Sequence, residues 1–242
     1  MNGLNLALFR EYKLFERQNN NTLMKKSIIL RAMFAVVLLM TSATLFATGY
    51  GNAYDFKEDG IYFRVSGSKK VCVSAYNVYY RTEHLYKGDV VIPSTIKHKN
   101  KTYTVVGIDD NAFRNCEELT SVTIPDGVER IGNRAFDGCR SLTAIVLPNT
   151  VKTISKRALA NCPLLATVSI GTGIEVIGEE AFYKSYCLET LYVRASQMPK
   201  IDEDAFEALD LKSATLYVPN GTEKGYRRIE PWCKFGNVLP LE

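Results

Sequence analysis

The sequence predicts a β-rich repeat solenoid of the leucine-rich α/β class, with a parallel sheet on its open face, a β-hairpin cap before it and a capping segment after it. Three observations carry that expectation. Ala-Phe recurs as Ala112-Phe113, Ala135-Phe136, Ala181-Phe182 and Ala205-Phe206, with Ala158-Leu159 in the middle copy, at steps of 23, 23, 23 and 24 residues. Ile stands five residues before each ring position (Ile108, Ile131, Ile154, Ile177, Ile201), and Leu follows six after it (Leu119, Leu142, Leu165, Leu188, with Leu211 one place early). The segment after each Leu alternates: Val122 and Ile124 are apolar between Ser121 and Thr123, and Ile145/Leu147, Val168/Ile170, Leu191/Val193 and Leu216/Val218 repeat the pattern. Period-two alternation marks a strand with one buried face. A coil this short cannot bury its apolar side alone, so it stacks on the next, and every conserved spacing becomes a ladder along the solenoid.

The elements follow in chain order. From Met24 the chain reads KKSIIL, then RAMFAVVLLMTSATLFA, then TGYGNA: a basic, an apolar and a small-residue region, as in an export signal. Residues 1–23 read as an upstream extension, so residues 1–53 are assigned to extension plus signal. Cleavage points after Ala47 and after Ala53 both fit, with Ala53 preferred. The rival, an uncleaved anchor, has only the Ala32–Ala47 run, short for a spanning helix.

Residues 54–88 alternate like paired strands (Ile61, Phe63, Val65, then Val71, Val73) around a turn at Gly67-Ser68-Lys69-Lys70, which predicts the β-hairpin cap. Residues 89–218 form about five coils, in which the Ala-Phe stretch is a turn or a short helical piece. Pro125, Pro148 and Pro219 end their strands, with Gly171 and Arg194 in the corresponding places. Residues 219–242 close the solenoid. There, Gly221–Trp232 is expected to form a short helix that buries Tyr226, Ile229 and Trp232.

The net charge is +4, and residues 1–53 account for all of it with six Lys/Arg and two Glu. The remainder is neutral and lacks the basic footprint of a nucleic-acid binder. No GxSxG, Walker A, GxGxxG or EF-hand pattern occurs. The two histidines, His84 and His98, sit in no catalytic or metal-ligating context and read as exposed polar residues. Asp109-Asp110 and Glu179-Glu180 are neighbours within a coil and read as solvated turns. No cofactor, no metal and no enzymatic activity is expected. Asn100-Lys101-Thr102 and Asn220-Gly221-Thr222 fit glycosylation sequons, a pattern common by chance.

Cys116, Cys139 and Cys162 recur at the 23-residue step, with Ser185 in the next place and Cys187 two beyond it. A zinc site would need ligands a few residues apart, and stacked side chains point the same way, which is poor disulfide geometry. A ladder of small buried thiols packed against the rungs of Phe113, Phe136, Phe182 and Phe206 is the expected use. Cys72 and Cys233 fall in opposite caps.

The pattern I-P-x-x-V-x-x-I-x-x-x-A-F-x-x-C-x-x-L, carried here by Ile124, Pro125, Val128, Ile131, Ala135, Phe136, Cys139 and Leu142, resembles the BspA-like leucine-rich repeats of bacterial surface proteins, a type also described from treponemes. The resemblance runs from about Val90 to Val218. GDVVIPSTIKHKNKTYTVVGIDDNAF looks like the entry coil of that family, with a hairpin inserted around Lys99-Asn100-Lys101, and LYVPNGTEKGYRRIEPWCKFGNVLP looks like its closing coil. The resemblance implies a cell-surface or secreted protein that contacts a protein partner, such as a host surface or matrix protein.

The outward strand positions are the candidate binding surface: Thr123, Val146, Ser169, Tyr192 and Tyr217 in one row, with Thr190 and Thr215 in the row beside it. Adjacent tyrosines suit a protein or glycan contact, because each ring offers an apolar body and a polar tip. Cross-strand Tyr pairs also stabilise sheets, and Thr is an ordinary strand residue. A non-enzymatic monomer binding a protein partner is the first expectation. A structural or glycan-contacting envelope component is the second.

Overall fold

The computed structural model describes residues 54–75 and 86–241. The signal and extension, His84 and the middle of the N-terminal cap lie outside the described residues.

The chain enters through three antiparallel strands, β1 (Phe56–Glu58), β2 (Ile61–Gly67) and β3 (Lys70–Ser74). The cap is therefore a hairpin extended by one more strand. Next come β4 (Gly88–Val91) and a tight hairpin of β5 (Thr95–His98) and β6 (Lys101–Ile108). Lys99 and Asn100 turn that hairpin with φ of 46° and 63°, as a two-residue turn with both central φ positive requires.

From there each coil contributes two parallel strands. The longer ones are β7 (Leu119–Thr123), β9 (Ala144–Leu147), β11 (Thr167–Ile170), β13 (Thr190–Val193) and β15 (Thr215–Val218). Between them lie two-residue strands, β8 (Arg130–Ile131), β10 (Thr153–Ile154), β12 (Val176–Ile177) and β14 (Lys200–Ile201). The Ala-Phe stretches are consecutive turns. The chain closes through α1 (Glu223–Tyr226), a 3-10 turn at Trp232–Lys234 and β16 (Asn237–Pro240).

The Ile rungs thus lie in a second sheet that residue spacing alone did not reveal: β6, β8, β10, β12 and β14 pair in parallel with Ile108, Ile131, Ile154, Ile177 and Ile201 in register. This sheet is continuous with the cap, because β3 pairs in parallel with β6. The open face is built from β9, β11, β13, β15 and β16. β4 and β7 form a separate two-stranded ladder beside it.

The core is a set of stacked rungs. Phe113 and Phe136 stack with centroids 4.9 Å apart, and Phe182 and Phe206 at 5.1 Å, with Leu159 filling the coil between. Tyr86 continues this column into the first cap at 4.5 Å from Phe113, and Trp232 and Phe235 close it against Phe206. Each fully buried aromatic rung stabilises by about 1.5–3 kcal/mol, before any stacking term.

The thiols form a ladder, and its chemistry goes beyond packing. Cys139 Sγ donates to the Phe113 carbonyl at 3.2 Å, and Cys162 Sγ donates to the Phe136 carbonyl at 3.1 Å. In the following coil the Ser185 hydroxyl donates to the Leu159 carbonyl at 2.8 Å and accepts the Cys162 N–H at 3.2 Å. The Phe113 and Phe136 carbonyls also accept the Cys116 and Cys139 N–H of their own turns at 3.1 Å, so there the thiol adds a second bond, whereas at the Leu159 turn the Ser185 hydroxyl serves both the carbonyl and the Cys162 N–H. Burial pushes the Cys162 thiol up to about 12, which keeps it protonated and able to donate.

Two columns of left-handed residues make the turns possible. One holds Asn111, Arg134, Arg157 and Glu180, and the other Asn115, Gly138, Asn161, Lys184 and Ala208, all with φ between 52° and 81°. Asn and Gly tolerate this region, while Lys184 and Ala208 adopt it at a cost of about 1–2 kcal/mol each.

Several expectations need correction. Asp109 is no solvated turn: it is 5% exposed, and Arg64 of β2 holds it through two bonds, Nε–Oδ2 at 2.5 Å and Nη2–Oδ1 at 2.6 Å. Asp110 remains exposed and accepts from Arg130, Asn133 N–H and Asn133 Nδ2. Glu179 and Glu180 pair with Lys156 and Arg157 of the preceding coil. His98 is partly buried, stacked on Phe56 at 4.1 Å with its Nδ1 2.7 Å from Glu58. The closing helix is only four residues long, so Tyr226 and Trp232 are buried while Ile229 is 48% exposed.

Candidate functional site

The backbone register decides which outward residues meet. Val146, Ser169, Tyr192 and Tyr217 lie in one row across β9, β11, β13 and β15, and Leu239 of β16 extends it. Thr190 and Thr215 sit in the adjacent row with Ala144, Thr167 and Asn237. Thr123 is exposed but belongs to the separate ladder, where it pairs with Val91, so it is not hydrogen-bonded into the row of the other candidates. Leu239 is missing from the sequence-derived set because β16 was read as part of a closing segment rather than as a strand.

The centre of the row is a stacked pair. The Tyr192 and Tyr217 rings have centroids 4.8 Å apart and an interplanar angle of 15°. That distance equals the spacing of neighbouring strands, so the rings stand edge-out from the sheet and stack along the row. Arg194 lies over Tyr192 at 5.6 Å and its Nε reaches Ser169 Oγ at 3.4 Å. The pair therefore has one face of each ring turned inward on its partner, and the guanidinium beside Tyr192. What it presents outward is ring edges and hydroxyls. Val146, 64% exposed, and Leu239, 41% exposed, lie at the two ends of the row.

The row combines a rigid aromatic pair, the Ser169 hydroxyl, two exposed apolar groups and one guanidinium. Among the described residues, no group of three or more His, Cys, Asp and Glu converges where it would hold a metal ion.

The rungs of Ile, Ala-Phe, Cys and Leu, stacked through two parallel sheets, are the geometry of one repeat type. The model of the BspA-type leucine-rich repeat region matches residues 106–224 in six copies. The solenoid belongs to the BspA-type leucine-rich repeat family. No curated protein sequence matches the chain. Among solved structures, the BspA-type solenoid is similar to a leucine-rich repeat protein of T. pallidum, TpLRR, with 23% identity, a TM-score of 0.56 and coverage of 77% of this chain and 81% of that one. It is also similar to the pneumococcal vaccine antigen PcpA, with 18% identity, a TM-score of 0.51 and coverage of 71% of this chain and 51% of that one. At these identities the likeness concerns the fold, and the function has to be argued from the surface.

Proposed function

We propose that this chain is an exported, non-catalytic BspA-type solenoid that binds a protein partner through the open sheet face, with Tyr192 and Tyr217 as its anchors. The stacked tyrosine pair carries this proposal. Its rings are held by each other and by Arg194, so little side-chain freedom is lost on docking. Tyr and Arg are also the residue types enriched at the energetic centres of protein interfaces. The glycan-contacting alternative fits this face less well, because sugar rings pack on open aromatic faces and the pair turns those faces along the row. Export rests on the basic, apolar and small-residue regions from Met24 to Ala53. The same fold serves a pneumococcal vaccine antigen. Cell-surface display or secretion is proposed, with a host surface or matrix protein as partner and a monomer as the binding unit.

Two measurements test the proposal. Protease added to intact producing cells should remove the protein; survival until the envelope is opened would place it in the periplasm and defeat surface display. The full chain should bind at least one member of a panel of purified matrix and cell-surface proteins. Tyr192→Ala with Tyr217→Ala should weaken that binding about tenfold or more, the equivalent of 1.4 kcal/mol, in a variant that still melts cooperatively as a folded chain. Binding that survives the double substitution would refute the assignment of this face.

A further inference from the structure

A second surface of the solenoid has a different chemistry. Along the turns that lead from the Phe column into the open strands, four successive coils line a groove of about 390 Å³. Each coil places equivalent residues there, so the groove runs along the solenoid axis for about three coil steps of 4.8 Å, roughly 14 Å. None of its residues belongs to the Tyr192–Tyr217 row.

The lining is polar and held in place. Asp137, 7% exposed, accepts from Asn161 Nδ2 at 2.6 Å. Arg114 Nε lies 3.3 Å from the other oxygen of that carboxylate, is buried and has no hydrogen-bond partner. Gly138 is left-handed like Asn115 and Asn161, and a Cβ there would come within 2.7 Å of Asn115 Oδ1. Arg140 is paired with Glu117.

One end of the groove differs from the rest. Tyr186 is 62% exposed and its ring takes part in none of the ring stacks of the described residues, unlike Tyr192 and Tyr217. Two residues before it, Lys184 occupies a left-handed position with φ of 57°, where the three preceding coils have Asn115, Gly138 and Asn161. Its ammonium lies 5.0 Å from the Tyr183 ring centre and forms no carboxylate ion pair in the described residues. A cation held over the Tyr183 ring and the exposed Tyr186 ring thus stand together at the end of a trough of amides and a carboxylate.

The geometry points to a binding groove for a short acidic oligosaccharide: a sugar ring packs its C–H face on Tyr186, its carboxylate meets Lys184, and its hydroxyls bond to the Asn161, Asp137 and Arg114 side chains. The negative face of an aromatic ring attracts the weakly positive C–H groups of a sugar. A peptide fits less well, since the groove offers neither a free strand edge nor an apolar side-chain pocket.

Titration calorimetry of the full chain with trigalacturonate tests the inference. Saturable binding is expected. Tyr186→Ala should weaken it about tenfold. Lys184→Asn, which keeps a residue suited to the left-handed position and so keeps the fold, should weaken it about fivefold. Fully methyl-esterified trigalacturonate should bind the wild type as weakly as the acid binds Lys184→Asn. The Tyr192→Ala/Tyr217→Ala variant should bind trigalacturonate normally, which separates this groove from the open face. Absence of saturation, or affinity indifferent to both groove substitutions, overturns the inference. Tetraglutamate binding as tightly as trigalacturonate would also overturn it and make the groove a peptide site.

Discussion

Ser185 is the sharpest place to test what holds the coils together. Its hydroxyl serves two buried backbone groups in the preceding coil, the Leu159 carbonyl at 2.8 Å and the Cys162 N–H at 3.2 Å. Ser185→Ala removes one oxygen, and both groups lose this partner in a site closed to water. A buried polar group without a partner costs about 1–3 kcal/mol, so the pair should cost roughly 2–6 kcal/mol. For a domain of this size each kcal/mol shifts Tm by about 2–4 °C, which makes the expected fall roughly 6–12 °C at 3 kcal/mol. Cys162→Ala makes the contrast: it removes a weak S–H donor and some volume, and should cost about 1–2 kcal/mol. Calorimetric melting of the two variants beside the wild type decides the matter. If Ser185→Ala is no worse than Cys162→Ala, the ladder is packing alone and the hydrogen-bonding role assigned to it is wrong.

Other outcomes follow from the same structure. Ala208→Gly relieves a left-handed alanine at φ 66° and should raise stability by about 0.5–1 kcal/mol in urea titration; a loss would mean that the strain is absent. The bonds from Arg157 hold the Glu180 carboxyl below its ordinary value of 4.5. A depressed folded value gives stability that is present above pH 4.5 and lost as the pH falls through the folded value. Glu180→Gln should therefore flatten the melting temperature against pH below 4.5, and an unchanged slope would remove this pair from the acid response. At the exposed edge of β16, the Val238 carbonyl accepts from Arg227 Nη2 at 2.7 Å, and Pro240 brings no N–H. Arg227→Ala with Pro240→Val should free that edge and increase concentration-dependent association in sedimentation velocity. Sedimentation identical to the wild type would show that these residues do not guard it.

The ladders were legible in the sequence because each rung recurs at a fixed step, and a stacked coil turns a step in sequence directly into a contact in space. Ser185 at the thiol rung and the neighbouring tyrosines could be read from the same register. The second sheet could not, because a two-residue strand is too short to show alternation, and Ile131 or Ile154 looks the same on a turn as on a strand. Asp109 was misread because its partner, Arg64, lies 45 residues away in the cap, outside any local pattern. The direction in which the Tyr192 and Tyr217 rings face is likewise a property of the register. Tyr186 escaped notice because its equivalents in earlier coils, Glu117, Arg140 and Pro163, have nothing in common with it.

The two caps hold different sheets: β3 is bonded to the sheet of the short strands, and β16 to the open face. Among the described residues the two caps share no strand pairing, so neither sheet ties the number of coils to both ends. Residues 143–165 make one full step, bonded to the coil before and the coil after through equivalent atoms. Duplicating that segment would lengthen the molecule by one coil while leaving both ends, and the Tyr192–Tyr217 pair, in their present surroundings. Length is then a quantity that recombination can alter without repair elsewhere, and a protein built this way can change how far it reaches while keeping what it grips.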